Sequence, residues 1–132
     1  MSKLDKPLYH GTSSAASIMI VGGYGFKAPV YLTADKRAAL HYAKAATAYL
    51  EKIAEEEGSE LIADGYALFT FHSLPNSEEL IPDDYSPNEP NQFVYRKPIR
   101  GLRHFWVERF PLEVEPDERL RLVCFAIGMW SK

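Results

Sequence analysis

Val30-Tyr-Leu-Thr-Ala-Asp-Lys-Arg-Ala-Ala-Leu-His-Tyr42 is the stretch from which the architecture is read. Val30 to Thr33 is a short run of strand formers. Thr33 or Asp35 is placed to cap a helix, because a side-chain oxygen there can accept N–H groups that a first helical turn leaves unpaired. Leu40, Ala43, Ala46 or Thr47, Leu50 and Ile53 or Ala54 then recur at three-to-four spacing, with Lys44, Glu51 and Glu55 directed elsewhere. The pattern predicts a helix to about Glu57, ended by Gly58.

Upstream, Pro7 to Thr12 reads as a strand that ends near Gly11. Ser13 and Ser14 can cap a short helix carrying Ala15, Ala16, Ile18 and Met19, and Gly22, Gly23 and Gly25 form a loop that runs to Pro29. Downstream, Tyr66 to Leu74 is rich in strand formers. Pro75, Pro82, Pro87 and Pro90 exclude a long helix or a central strand from the next stretch, apart from a helical turn around Ser77 to Leu80. Gln92 to Tyr95, Ile99 or Leu102 to Phe110, and Arg119 to Ile127 complete the predicted strands. Helices near the front and strands toward the back indicate an α+β domain rather than a repeating βαβ sheet.

The 132 residues suit one domain able to bury roughly two thirds of its unfolded surface, so neither metal nor disulfide is needed for folding. A net charge of −3 gives no general basic field for nucleic acid. The one cysteine, Cys124, excludes an internal disulfide and a cysteine zinc site, and its apolar setting reads as an inert strand thiol. No apolar run reaches membrane-spanning length, so a cytoplasmic protein is expected. His10, His41, His72 and His104 lack metal-ligand spacing. Gly23-Tyr-Gly25-Phe-Lys-Ala28 has the letters of a dinucleotide fingerprint but follows a helix and precedes a strand, the reverse of what the phosphate-binding turn requires. Residues 92–109 carry five basic side chains against Glu108, and residues 78–89 carry five acidic ones and no basic one. These stretches read first as solvated faces that partly pair with each other.

Three features stand together: Leu8-Tyr-His10-Gly11-Thr12, then Val30-Tyr31-Leu-Thr33, then Tyr42 on the following helix. An imidazole beside an uncovered glycine backbone suits close approach of a small polar ligand. A ring at a strand end and one on the next helix can face each other across a slot. In their order, and in the 11-residue step from Tyr31 to Tyr42, these residues resemble the ADP-ribosyltransferases of the diphtheria-toxin and poly(ADP-ribose)-polymerase type, which carry a His-Tyr-Glu triad. The likeness covers residues 8–50 well and the rest loosely.

The resemblance implies two small, packed, mostly antiparallel sheets with flanking helices around an NAD cleft, and no metal. His10, with Thr12, would bind adenosine ribose hydroxyls, and Gly11 would grip the nicotinamide carboxamide through its backbone. Tyr31 and Tyr42 would sandwich the nicotinamide ring. In the family a glutamate opens a later strand and stabilises the ribosyl cation; here Asn91-Gln92-Phe-Val-Tyr95 puts Gln92 at that place, with Glu89 three residues upstream as an alternative. Ala39 stands where the family often has a serine. His10, Tyr31 and Gln92 are therefore the expected catalytic set. The implied reaction is transfer of ADP-ribose from NAD to a macromolecule, a protein being favoured by the acidic stretch, in a small microbial or phage effector or toxin. The rival readings are an NAD glycohydrolase or a non-catalytic NAD-pocket module, an RNA 2′-phosphotransferase, and a plain α+β interaction domain.

Overall fold

Alternating and aromatic-rich segments form six strands: β1 (Ser2–Ser13), β2 (Val30–Thr33), β3 (Gly65–Leu74), β4 (Leu80–Pro82), β5 (Gln92–Tyr95) and β6 (Phe105–Pro111). The computed structural model describes residues 2–57, 65–83 and 91–111. Gly58, Glu89, Cys124 and the predicted strand Arg119 to Ile127 lie outside these described residues. The strands make one antiparallel sheet in the order β4-β5-β2-β1-β3-β6. With the α-helices α1 (Ser14–Met19) and α2 (Lys36–Glu57) among the described residues, the class is α+β.

Among the described residues one sheet stands in place of the expected pair of packed sheets, and the difference has a physical cause. β1 pairs with β3 from Ser2 to Ser13 with one irregularity, and β2 pairs with β5 along its whole length. Between β1 and β2 the register holds a single pair, Tyr9 opposite Thr33. Two three-stranded arms, β4-β5-β2 and β1-β3-β6, are joined there. Full separation would leave two internal edges of backbone N–H and C=O groups to be satisfied elsewhere.

Successive side chains on β1 leave opposite faces of the sheet. Leu8 joins Phe26, Val30, Leu32, Phe69, Phe71, Tyr95 and Phe105 in the larger core on one face. On the other face Ala39, Ala43, Tyr66, Leu68 and Phe110 form a second core, with Tyr9 and Leu40 packed against it. α2 begins as its sequence predicts: Asp35 Oδ1 accepts from the Arg37 and Ala38 amides (3.0 and 3.3 Å), and Thr33 Oγ1 accepts from the Asp35 amide (3.0 Å). Its most buried face shares Ala43 and Thr47 with the expected stripe but is centred toward Ala39. Ala39, Ala43 and Thr47 are fully buried, whereas Leu40, Ala46, Leu50 and Ile53 are half-buried. The reason is backbone proximity: a Cβ on Gly11 would run into the Ala39 carbonyl oxygen, so only small side chains fit between helix and strand. Thr47 Oγ1 tightens the same contact, within reach of the Ala43 and Gly65 carbonyls (2.9 and 3.2 Å).

α1 is capped by Ser13, whose Oγ accepts from the Ala16 amide (3.1 Å). Its expected apolar face is turned outward, with Ile18 and Met19 exposed and Ser14 and Ser17 buried. Ser17 donates to the Ser14 carbonyl (2.6 Å) and receives Arg109 Nε from β6 (3.2 Å), so a polar contact sets the helix rotation. A π-helical turn (Ile20–Tyr24) follows, where the predicted glycine loop was expected. Gly25, at φ +66°, lets the chain approach Ile99, and paired bonds between Phe26 and Ile99 (2.8 and 3.0 Å) lower Phe26 into the core.

The proline-rich stretch contains a strand that composition did not reveal. β4 carries Pro82 and lies at the sheet edge, where a missing N–H is tolerated. The helical turn before it (Ser77–Glu79) is capped by Asn76. Arg96 Nε lies 3.2 Å from Glu79 Oε2, so the acidic and basic stretches do pair in part. Among the described residues no helix is long and apolar enough to cross a membrane.

Gly11→Ala should destabilise the fold by about 1–3 kcal/mol or more through overpacking. Gly22→Ala, where an added Cβ meets nothing within 4 Å, should change stability far less. Urea unfolding of the two variants checks the difference.

Candidate functional site

The site follows from the parting of β1 and β2. Past the Tyr9–Thr33 pair, His10 Nδ1 donates to the Tyr31 carbonyl at 2.8 Å, so an imidazole takes the place of a backbone partner. The ring is wedged edge-on against Phe26 (5.1 Å between centroids) and near Phe69 (6.3 Å). Burial pushes the imidazole below its ordinary pKa, and the Tyr31 carbonyl opposes that shift. His10 is therefore neutral at pH 7, with Nδ1 protonated and Nε2 left as an acceptor.

A cleft of about 340 Å³ opens between the two arms and the first turns of α2. His10 and Gly11 from β1, Tyr31 from β2, Tyr42 from α2 and Gln92 from β5 all line it. Tyr31 and Tyr42 are 53% and 49% exposed, which sets them apart from the fully buried Tyr66 and Tyr95 of the cores. Ala39 also lines the cleft, held small by the approach to Gly11. Thr12 does not line it; it stands farther along β1, opposite Ala67 on β3.

Gln92 is anchored rather than loose. Nε2 donates to Thr33 Oγ1 (3.1 Å), and its backbone carbonyl accepts from the Asp83 amide (3.0 Å). The Nε2 contact leaves Oε1 as the group offered to a ligand. The β4–β5 register, ending at Pro82 opposite Phe93, continues through that amide bond to set Asp83 across from Gln92. Among the described residues lining the cleft, Asp83 supplies the acidic side chain. Sequence reasoning passed over Asp83, because it sits in an acidic stretch that reads as a solvated face. Only the strand pairing shows that it neighbours Gln92.

Comparison of the chain with family models, curated proteins and solved structures returned no match.

A second cavity, of about 380 Å³, adjoins the first. His10 and Tyr31 line both, so their hydrogen bond forms the partition. Its other walls are α1, the π-helical turn and the segment to Val30, including Met19, Tyr24, Phe26 and Lys27. Tyr24 and Met19 are exposed. Composition gave no sign of this cavity, since its walls come from residues that read as an amphipathic helix and a glycine loop. Among the described residues, no group of three His, Cys, Asp or Glu side chains could hold a metal ion.

The depressed His10 pKa has a defined sign. The unfolded chain takes up a proton first, so this contribution to stability is fully present above about pH 6.5. It is lost as pH falls from there through the folded value. His104 is shifted the same way, by burial first and then by Arg103, whereas burial raises Glu108, whose contribution is lost as pH rises. A site-specific readout is therefore required: the His10 ring protons, followed by NMR, should titrate below 6.5.

Proposed function

We propose that this chain is an NAD-dependent ADP-ribosyltransferase. The observation that carries the reading is the convergence of His10, Tyr31, Tyr42 and Gln92, from four different elements, on one cleft. Each residue was expected at such a site on its place in the sequence, and none is a core residue. The half-exposed rings of Tyr31 and Tyr42 suit a bound nicotinamide, which is a cationic pyridinium attracted to aromatic faces by up to about 2 kcal/mol when desolvated. His10 Nε2 suits a ribose hydroxyl donor, and the Gly11 backbone suits the carboxamide. The second cavity supports the reading further. NAD is two nucleotides joined through a pyrophosphate, and two adjoining cavities divided by His10 and Tyr31 can take one nucleotide each, with Lys27 on the wall of the second.

In this reaction the bond between ribose C1′ and the pyridinium nitrogen breaks. Its electron pair goes to that nitrogen, nicotinamide leaves neutral, and the ribose becomes an oxocarbenium-like cation. A lone pair on the acceptor then bonds to C1′, and the acceptor's proton is released. Ring stacking stabilises bound NAD and the transition state alike, so it binds and orients more than it accelerates. Acceleration requires negative charge or acceptor dipoles beside the developing cation. Gln92 Oε1 offers a dipole, and Asp83, its neighbour across β4 and β5, offers a full charge in the same cleft. We assign the family glutamate's electrostatic task to this pair.

NAD glycohydrolysis, with water as the acceptor, is the second reading. What favours it is the neutral amide at Gln92, which is no general base for a macromolecular nucleophile, whereas water, abundant at an open cleft, captures a ribosyl cation without one.

Incubation with NAD labelled in the adenosine half, with and without cell lysate, tests both. Nicotinamide release together with label on macromolecules supports transfer, and release without label supports hydrolysis. Absence of both sinks the enzyme reading. Tyr31→Ala and Tyr42→Ala should each weaken NAD binding about tenfold or more. Asp83→Asn should keep NAD binding and lower nicotinamide release at least tenfold; unchanged release would remove Asp83 from the mechanism.

A further inference from the structure

A third cavity, of about 320 Å³, lies on the α2 face of the sheet, bounded by β1, β3, β6 and the start of α2. Glu108 lines it and is only 7% exposed. One carboxylate oxygen, Oε1, accepts from Trp106 Nε1 at 3.3 Å. The other, Oε2, is buried with no hydrogen-bond partner among the described residues. A buried carboxylate oxygen without a donor is costly, and a donor brought by a ligand relieves the cost. Trp106, on the same wall, is 43% exposed and stacked on His72 (centroids 5.3 Å apart, 29° between planes). The cavity therefore combines a buried carboxyl oxygen that lacks a donor with an open indole.

We propose that this cavity binds the guanidinium group of an arginine side chain presented by a polypeptide. A guanidinium is planar, stacks on indole faces, is weakly hydrated for a cation and carries donors in a fork that suits a carboxylate. The other charged and titratable groups facing Glu108 come from three elements: Tyr9 on β1, His72 on β3 and Lys36 at the start of α2. Burial raises the Glu108 pKa, while Lys36 and the Trp106 bond act against the rise. Lys36 is exposed, on a flexible stem, and its ammonium competes with an incoming cation.

The cavity adjoins the proposed NAD cleft, with Tyr9 on the wall of both. Across the sheet Asp83, Gln92, Thr33, Tyr9, Thr70 and Trp106 occupy one row of paired positions. An arginine held over Trp106 thus sits along that row from Gln92 and anchors a protein acceptor beside the cleft. That anchoring role rests on the transferase reading; the identity of the ligand does not.

The test uses acetyl-arginine-methylamide, with acetyl-citrulline-methylamide as its uncharged isostere, and follows the Trp106 indole N–H resonance of the whole chain. The arginine probe should shift that resonance and bind at least tenfold more tightly than the citrulline probe. Glu108→Gln, which keeps an acceptor for Trp106, should remove at least tenfold of the arginine affinity. Lys36→Ala should increase it several-fold. Equal binding of the two probes, no binding, or an unaffected Glu108→Gln variant overturns the proposal. Arginine binding by a chain that releases no nicotinamide keeps the pocket and removes its acceptor role. Nicotinamide release by a chain that does not bind the probe removes the pocket alone.

Discussion

The bond from the His10 imidazole to the Tyr31 carbonyl is the contact on which the rest of the site depends. A sheet that opens between two neighbouring strands exposes backbone polar groups along both edges, and each needs a partner. Here one side chain spans the opening, at 2.8 Å, just beyond the last paired residues. The imidazole is held from behind by Phe26, which in turn is fixed by its bonds to Ile99. Core packing on one face therefore sets the orientation of a polar group at the mouth of the cleft. The same bond leaves Nε2 as acceptor and divides the first cavity from the second.

A second constraint comes from the opposite face. Gly11 lets the backbone of α2 come against β1, and the helix answers with Ala39 and Ala43. The close approach narrows the cleft and brings Tyr42, one turn beyond Ala39, to its wall. The two constraints act together on consecutive residues, since His10 and Gly11 leave opposite faces of the same strand. The dipeptide at the mouth of the cleft is also the structural joint, so substitutions there will report on folding as well as on any binding in the cleft.

Charge is distributed by strand pairing rather than by sequence neighbourhood. Glu79 faces Arg96 on an exposed surface, where an ion pair adds little stability. Asp83, four residues on, is drawn to the cleft by its amide bond to Gln92. Glu108 is buried beside Trp106, although it lies next to Arg109 in a stretch that is otherwise basic in its charge. Three carboxylates thus do three different things, and the register of β4, β5 and β6 decides which.

By itself the sequence determined the elements with strong local signals. β2, α2 with its Asp35 cap, the Ser13 cap of α1 and the strand from residue 66 to Leu74 are set by propensity, periodicity and short side-chain bonds to neighbouring backbone. It also grouped His10, Gly11, Thr12, Tyr31, Tyr42 and Gln92, all of which but Thr12 line the cleft. What only the tertiary structure decided depends on contacts between distant residues. The exposed rotation of α1 follows from Ser17 meeting Arg109, 92 residues away. The burial of Ala39, which extends the Ala43-Thr47 face of α2, follows from backbone proximity at Gly11, which no hydropathy pattern encodes. The joining of two arms into one sheet, the strand at Pro82, the place of Asp83 opposite Gln92 and the buried carboxylate of Glu108 all arise from pairing across the sheet. Residue type and spacing constrain which side chains a strand or helix presents; the alignment of those strands fixes which of them meet.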